Sequence, residues 1–310
     1  MVGTCSSWRG TPSVNDATSA PYLSIVLVGR NDDFGGDFNE RLFAAAEFNH
    51  AQLERYGIPH EYIFVEWNPI SGKPYLAELI GERLPWWERR YVVDAAWHQH
   101  FSVNPRLVFM EFFAKNVGIR RAAGSFLLVS NTDIWLSRGI LRVLAAGHLS
   151  KEVLYRCIRV DLRREIGYFG MTFDVLEHPE SFLRTNPLMR PHYSNASGDF
   201  LLMDRDSWAT AGGFNEVFRE SKIHKDSNLC AQVHQLGLPI QLIGEVYHFD
   251  HEHSFNNVAH LDIYGPNHRN APFGRSDWDW TARYANAESW GLADALEQTC
   301  EGGVTYVSKP

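Results

Sequence analysis

The first uninterrupted apolar run is Leu23 to Val28, "LSIVLV". It has no polar alternation, as expected of a strand buried on both faces. "GRNDDFGGD" breaks it with Gly, Asn and Asp. From Asn39 to Tyr56 the apolar positions Leu42, Ala45, Ala46, Phe48 and Leu53 suit a helix, and Gly57-Ile58-Pro59 ends it. "EYIFVE", Glu61 to Glu66, reads as a second strand. Strand, loop, helix, strand is the βαβ signature of a parallel sheet.

Between Lys73 and Gln99 aromatic and charged residues mix without a clean period, and the segment reads as an insert. Met110 to Ala123 reads as a helix, with Phe112, Phe113, Val117 and Ile119 on one side, stopped by Gly124. A strand, "SFLLVS", follows. Ser137 is placed to cap a helix reaching His148. Another strand is expected from Val153 to Val160. The second half is less regular. "ASGDFLLMDRDSWATAGGFNE" suggests a strand, a helix and a Gly-Gly turn, and "SNLCAQVHQLGLPIQLI" a helix and then a strand at Ile240 to Ile243.

The chain has 310 residues, enough for a sizeable core. Hydrophobic residues are 45% and charged residues 21%, ordinary for a globular protein. Lys plus Arg is 29 against 37 Asp plus Glu, a formal charge of −8. That argues against a general nucleic-acid binder, which needs a basic surface. The four cysteines, Cys5, Cys157, Cys230 and Cys300, are far apart with no C-x-x-C pair, which argues against a disulfide framework. No apolar run is long enough to span a membrane. A cytoplasmic location is expected, with peripheral membrane contact left open. Residues 1–21 read as a flexible lead-in without a secretory signal.

Asn131 and Asp133 stand at the end of the buried strand in "FLLVSNTDIWL". In an open parallel sheet ligands gather beyond the carboxyl ends of strands. A carboxylate there either holds a hard cation or closes a turn, and these residues alone leave both readings open. "YHFDHEHSF" places His248, His251 and His253 within six residues, which suits metal ligation as well as ordinary hydrogen bonding. "GRNDDFGG" is not a dinucleotide fingerprint, and no P-loop is present.

"KNVGIRRAAGSFLLVSNTDIWLS" resembles the family 2 type glycosyltransferases with a GT-A fold, through Asn116, Gly118, Ala122 and Gly124 followed by Asn131-Thr132-Asp133. The usual metal motif there is Asp-x-Asp, and this chain has Asn at the first position. Three further stretches fall in the family's order between Leu23 and His253. The resemblance implies an α/β, GT-A-like (Rossmann-like) fold with a mostly parallel central sheet. Residues 22–310 would form one domain, with a nucleotide-sugar half at 22–136 and an acceptor half at 137–310. It assigns Gly29, Arg30, Asn31, Asp32, Glu66, Asn116, Asn131 and Asp133 to donor binding. Asp133, with His248 or His251, would hold Mn²⁺ or Mg²⁺. Asp199, Trp208 and Gly213 fall on the acceptor side. Asp226 aligns with the catalytic base of inverting members, although Lys225 replaces the usual Glu and Asn228 the second Asp.

The activity so implied is metal-dependent transfer of a sugar from a nucleotide-sugar, expected to be a UDP-sugar, to the hydroxyl of a saccharide or other acceptor, with inversion. A retaining transferase and a non-catalytic nucleotide-sugar or carbohydrate-binding module are the alternatives, the latter favoured by Lys225 and Asn131. Trp86, Trp87, Trp97, Trp278, Trp280, Tyr284 and Trp290 are candidates either for an aromatic acceptor groove or for core. Acceptor specificity is a hypothesis for the Lys73–Gln99 insert. The oligomeric state is open.

Overall fold

The computed structural model describes residues 20–188, 194, 196–219, 225–251 and 283–310. Cys5, His253, Trp278 and Trp280 lie outside the described residues. In chain order the helices and strands are β1 (Leu23–Gly29), α1 (Phe38–Arg55), β2 (His60–Trp67), α2 (Leu76–Arg83), β3 (Arg89–Val93), α3 (Ala95–Phe101), α4 (Glu111–Arg121), β4 (Phe126–Val129), β5 (Ile134–Leu136), α5 (Arg138–Ala145) and β6 (Leu154–Leu162). They continue as α6 (Phe173–Leu176), β7 (Phe182–Asn186), β8 (Leu201–Asp204), α7 (Arg205–Ala211), α8 (Lys225–Gln235), β9 (Ile240–Phe249), β10 (Leu296–Thr299) and β11 (Val304–Ser308).

Among the described residues one sheet of eleven strands runs β10-β11-β3-β2-β1-β4-β8-β6-β9-β5, with β7 beside β6. Its nucleus is parallel: β11, β3, β2, β1 and β4 all run together. β8 then enters antiparallel to β4, and β5 antiparallel to β9. The fold is therefore α/β with a parallel nucleus, as the βαβ pattern predicts.

β1 explains why its sequence has no polar alternation. Leu23, Ile25 and Leu27 pack into a core beneath α1, α2 and α5, while Val26 and Val28 pack into a second core beneath α4, α7 and α8. Each such side chain taken fully out of water contributes about 1.5–3 kcal/mol. Ser137 caps α5 as expected, its Oγ accepting from Ile140 N at 3.3 Å.

Three stretches differ from the sequence reading. Lys73 to Gln99 is regular structure, α2-β3-α3, whose elements are too short to reveal a period. Trp87 is buried core within it, and Trp97 packs against the second core. β9 runs on from Ile243 to Phe249, so His248 lies inside a strand rather than after it. Finally, β10 and β11 extend the sheet beyond β3 from the far end of the chain.

Among the described residues Cys157, Cys230 and Cys300 form no disulfide. Among the described residues no helix is long and apolar enough to cross a membrane.

Candidate functional site

The site is built by strand register at the carboxyl end of the parallel nucleus. β5 pairs with β9 so that Ile134 lies opposite His248, and β6 pairs with β9 so that Asp161 lies opposite the same histidine. His248 is thereby held between Asp133, which immediately precedes β5, and Asp161. Its Nδ1 is 3.0 Å from Asp161 Oδ1 and its Nε2 is 3.7 Å from Asp133 Oδ2. A carboxylate can only accept, so His248 Nδ1 donates to Asp161, and Nε2 is the nitrogen turned toward Asp133. His251, two residues past β9, brings its own Nε2 to 3.6 Å from the same oxygen.

One carboxylate and two imidazoles thus converge, all three buried or nearly so. Two ligands each about 2.1 Å from a common cation stand roughly 3.0–3.6 Å apart at ordinary coordination angles. The observed separations are close to that range. One further observation fits a cation: Asp161 accepts from His248 Nδ1, the outer contact that turns the Nε2 of a metal-binding histidine toward its ion. Metal-ligating residues of this composition suit Mn²⁺ better than Mg²⁺, which prefers oxygen.

Electrostatics point the same way. Burial alone would raise the Asp133 carboxyl, but His248 and Arg41 hold it well below the usual carboxylate range. Burial pushes His251 down to about 3, so it is neutral and free to ligate. Burial also opposes ionisation of Asp161, and there His248 and Arg159 prevail, keeping it an anion.

Arg41 ties the loop after β1 to this centre. From the first turn of α1 its Nε donates to Asp133 Oδ2 at 3.1 Å, and its other nitrogens donate to the carbonyls of Phe34 and Gly36. Gly35 sits against His251: a Cβ at its φ of +79° would lie 2.6 Å from His251 Nδ1, so only glycine permits this approach. Within the loop, Arg30 donates to the carbonyl of Asn68 at 2.7 Å and pairs with Asp32 at 3.3 Å. Asn31 donates to the carbonyl of Pro74 at 3.0 Å. Gly29, at the end of β1, lies opposite Glu66 at the end of β2. Glu66 Oε2 accepts from Ala77 N at 3.0 Å, whereas Oε1 is buried with no partner. Burial pushes this carboxyl up to about 7.

A polar network continues toward the second half of the chain. Arg159 pairs with Asp161 at 2.9 Å and with Asp199 at 3.0 Å. Asn131 Nδ2 donates to Asp199 Oδ1 at 2.7 Å, and Asn131 Oδ1 accepts from Lys115 at 3.0 Å. This accounts for Asn where the resembling family carries Asp: a carboxylate at 131 would face that of Asp199 with no proton between them. Lys115 also donates to the Gly198 carbonyl at 3.3 Å, and Gly198 N donates to Asp226 Oδ2 at 2.8 Å. Asp226 Oδ1 accepts from its neighbour Ser227 N at 2.8 Å. Beside it Lys225 is buried against Phe112 and Phe113, and burial pushes its amine down to about 7.

The structure therefore gathers Asp133, His248 and His251, and links them through Asp161, Arg159 and Asp199 to Asn131 and Asp226. It places three expected residues elsewhere. Asn116 is fully buried and clamps the turn after α7: it accepts from Phe214 N at 2.7 Å and donates to Phe214 O and to Glu216. Its carboxamide holds protein backbone rather than facing a donor. Trp208 is completely buried core, its indole N–H donating to the Leu127 carbonyl at 3.1 Å, so no ring face is left for an acceptor. Gly213 is packed against Asn116 and Trp290, where a Cβ would come within 2.5 Å of Asn116 Oδ1. Trp86 stacks on His50, at the start of the parallel strands rather than their carboxyl ends, which removes the reason for assigning it acceptor contact. In the tail, Trp290 packs against the second core and Tyr284 against Phe218.

Sequence reasoning missed Arg41, Arg159 and Asp161. Their signal was present: "LYRCIRVDL" carries three charges within an otherwise apolar strand, and Arg41 shares a helix face with Ala45 and Phe48.

No family model matches the chain, and no curated protein matches it. Solved structures similar to it include the catalytic domain of a Drosophila beta1,4-galactosyltransferase 7 in complex with xylobiose (12% identity, 92% of each chain covered, TM-score 0.42). Another is the mannosyltransferase PcManGT from Pyrobaculum calidifontis with GDP-Man and Mn²⁺ (14% identity, 79% of this chain and 61% of that one, TM-score 0.47). A third is the galactosyltransferase LgtC with donor and acceptor sugar analogues (10% identity, 68% of this chain and 65% of that one, TM-score 0.34). Two of these neighbours are galactosyltransferases and one is a mannosyltransferase.

Proposed function

We propose that this chain is a metal-dependent glycosyltransferase that moves a sugar from a nucleotide-sugar, with UDP as the expected nucleotide, to an acceptor hydroxyl. The observation that carries this reading is the convergence of Asp133, His248 Nε2 and His251 Nε2 on one point at the carboxyl end of the parallel strands. Ligands collect at that end of open α/β sheets.

Asp133, His248 and His251 would hold Mn²⁺. When bound, the cation neutralises charge on the departing diphosphate and orients it. Asp161 keeps His248 in the ligating tautomer by accepting its Nδ1 proton. Arg41 fixes the loop after β1 against Asp133, closing that side to water. Gly29 to Asp32 line the donor's path, and the bare Glu66 Oε1 offers an acceptor for an N–H of the base. Asp199 and Asn131 orient the acceptor side. Asp226 takes the proton of the acceptor hydroxyl on a carboxylate oxygen, which gives inversion.

A retaining transferase is the second reading. It is favoured by one observation: both Asp226 oxygens already accept backbone N–H groups, which occupies them where an acceptor hydroxyl would have to donate.

The test is a calorimetric titration with UDP, with and without Mn²⁺, on the wild type and on Asp133→Ala. Binding that needs Mn²⁺ and is lost in the variant is the expected result. Failure of UDP with success of another nucleoside diphosphate would change the donor; failure of every nucleoside diphosphate would end the transferase reading.

A further inference from the structure

A second group of ligand-bearing side chains lies at the other end of the same strands. His50 and Glu54 are one turn apart on α1, and His60 is the first residue of β2. One ligand atom from each lies within 4.8 Å of the others. The β1–β2 register puts His60 opposite Leu23, and Glu66 opposite Gly29. At a rise of about 3.3 Å per residue, roughly 20 Å separates this group from the Glu66 end. It is therefore distinct from the Asp133 centre.

The protonation pattern is informative. His60 Nδ1 is 2.8 Å from the Ile58 carbonyl oxygen, which can only accept, so Nδ1 carries the proton. His60 Nε2 is then an acceptor, and His50 Nδ1 donates to it at 2.9 Å; a cation held between the two nitrogens would take the place of that proton. Two nitrogens sharing a cation at about 2.0–2.1 Å stand roughly 2.9–3.4 Å apart. A backbone carbonyl on the far nitrogen is the partner that orients metal-binding histidines. The rings are also held in place. Trp86 stacks on His50 with centroids 3.8 Å apart and planes 12° apart, and Tyr62 meets His60 edge-on at 5.6 Å. Glu54 is 65% exposed, with Oε1 3.8 Å from His60 Nδ1, so its carboxylate would swing round to the Nε2 side to join a cation there.

We propose that His50 Nδ1, His60 Nε2 and the Glu54 carboxylate form a second metal site. It would take a borderline transition cation such as Zn²⁺ and staple α1 to β2. Two imidazoles and one carboxylate are a ligand set such cations accept, with water completing the shell. The site is independent of the transferase reading.

The test uses the full-length protein carrying Asp133→Ala, which removes the other centre. ZnCl₂ is titrated calorimetrically without nucleotide, and thermal unfolding is followed with and without Zn²⁺. One Zn²⁺ per chain is expected, with a rise in Tm. His50→Gln on the same background should weaken binding by about tenfold or more and abolish the Tm rise. Glu54→Gln, at an exposed position, should weaken binding while leaving the circular dichroism spectrum unchanged. Zn²⁺ affinity unaltered by His50→Gln, or no Zn²⁺ binding in the Asp133→Ala protein, would overturn the proposal.

Discussion

Asp161 accepts a hydrogen bond from His248 Nδ1 at 3.0 Å, and this one contact determines which nitrogen His248 turns toward Asp133. Asp161 is itself held by Arg159, Arg184 and Asn186, so the histidine ring on β9 is fixed from two other strands, β6 and β7. Asp161→Asn keeps the shape but removes the charge that favours the ligating tautomer. Mn²⁺ affinity should fall by about 10–100-fold, measured by calorimetry. An unchanged affinity would mean that His248 is not a ligand.

Asp226→Asn separates catalysis from donor binding. Turnover should fall by about 10²–10⁴-fold, the usual contribution of a general base, while Mn²⁺-dependent UDP affinity stays within about twofold. Retained turnover with a retained anomeric configuration in the product would select the retaining mechanism.

Glu66 carries a pH signature. Its carboxyl is pushed up to about 7, by burial first, against an unfolded value of 4.5. The folded protein therefore holds this proton more tightly than the unfolded chain. The contribution to stability is fully present below 4.5 and is lost as pH rises to about 7. The loss is up to roughly 3 kcal/mol, at about 1.4 kcal/mol per pH unit. Glu66→Gln should be more stable than wild type at pH 8 by more than at pH 5, as read from urea midpoints. A difference between the two proteins that does not change with pH would remove the assignment.

Trp208 gives the opposite test, of a residue whose role is packing. Trp208→Phe should cost about 1–2 kcal/mol, because the Leu127 carbonyl loses its indole donor. Trp208→Ala should cost about 3–5 kcal/mol. Neither should change acceptor KM beyond the loss of folded protein. A raised KM at unchanged stability would return Trp208 to the substrate.

How much of this was legible beforehand follows from the kind of signal each feature leaves. β1, α1 and β2 were readable because long elements repeat their pattern: β1 opens with five apolar residues in six, and α1 spans 18 residues. β3 and β5, at five and three residues, are too short to show a period. Asp133, His248 and His251 could be proposed as partners because their residue types suit one chemistry. Their convergence depends on the β5–β9 register, which no local pattern encodes. Asp161 and Arg41 look like interruptions of apolar runs until the sheet places them together. Asn116 and Trp208 take up packing contacts for a related reason. A motif position tells which residue stands there, but the direction of the side chain depends on the turn it packs under.

The parallel pairing of β11 with β3 has a consequence for how the chain is made. Arg90, in β3, is joined to the carbonyl of Gly302, 212 residues further along. At about 5–20 residues per second a ribosome needs on the order of 10–40 s to cover that distance. Throughout that interval β3, with its Tyr-Val-Val sequence, is an unpaired edge, open to other chains emerging nearby. Its two arginines, Arg89 and Arg90, put positive charge on that temporary edge and discourage such encounters until β11 arrives.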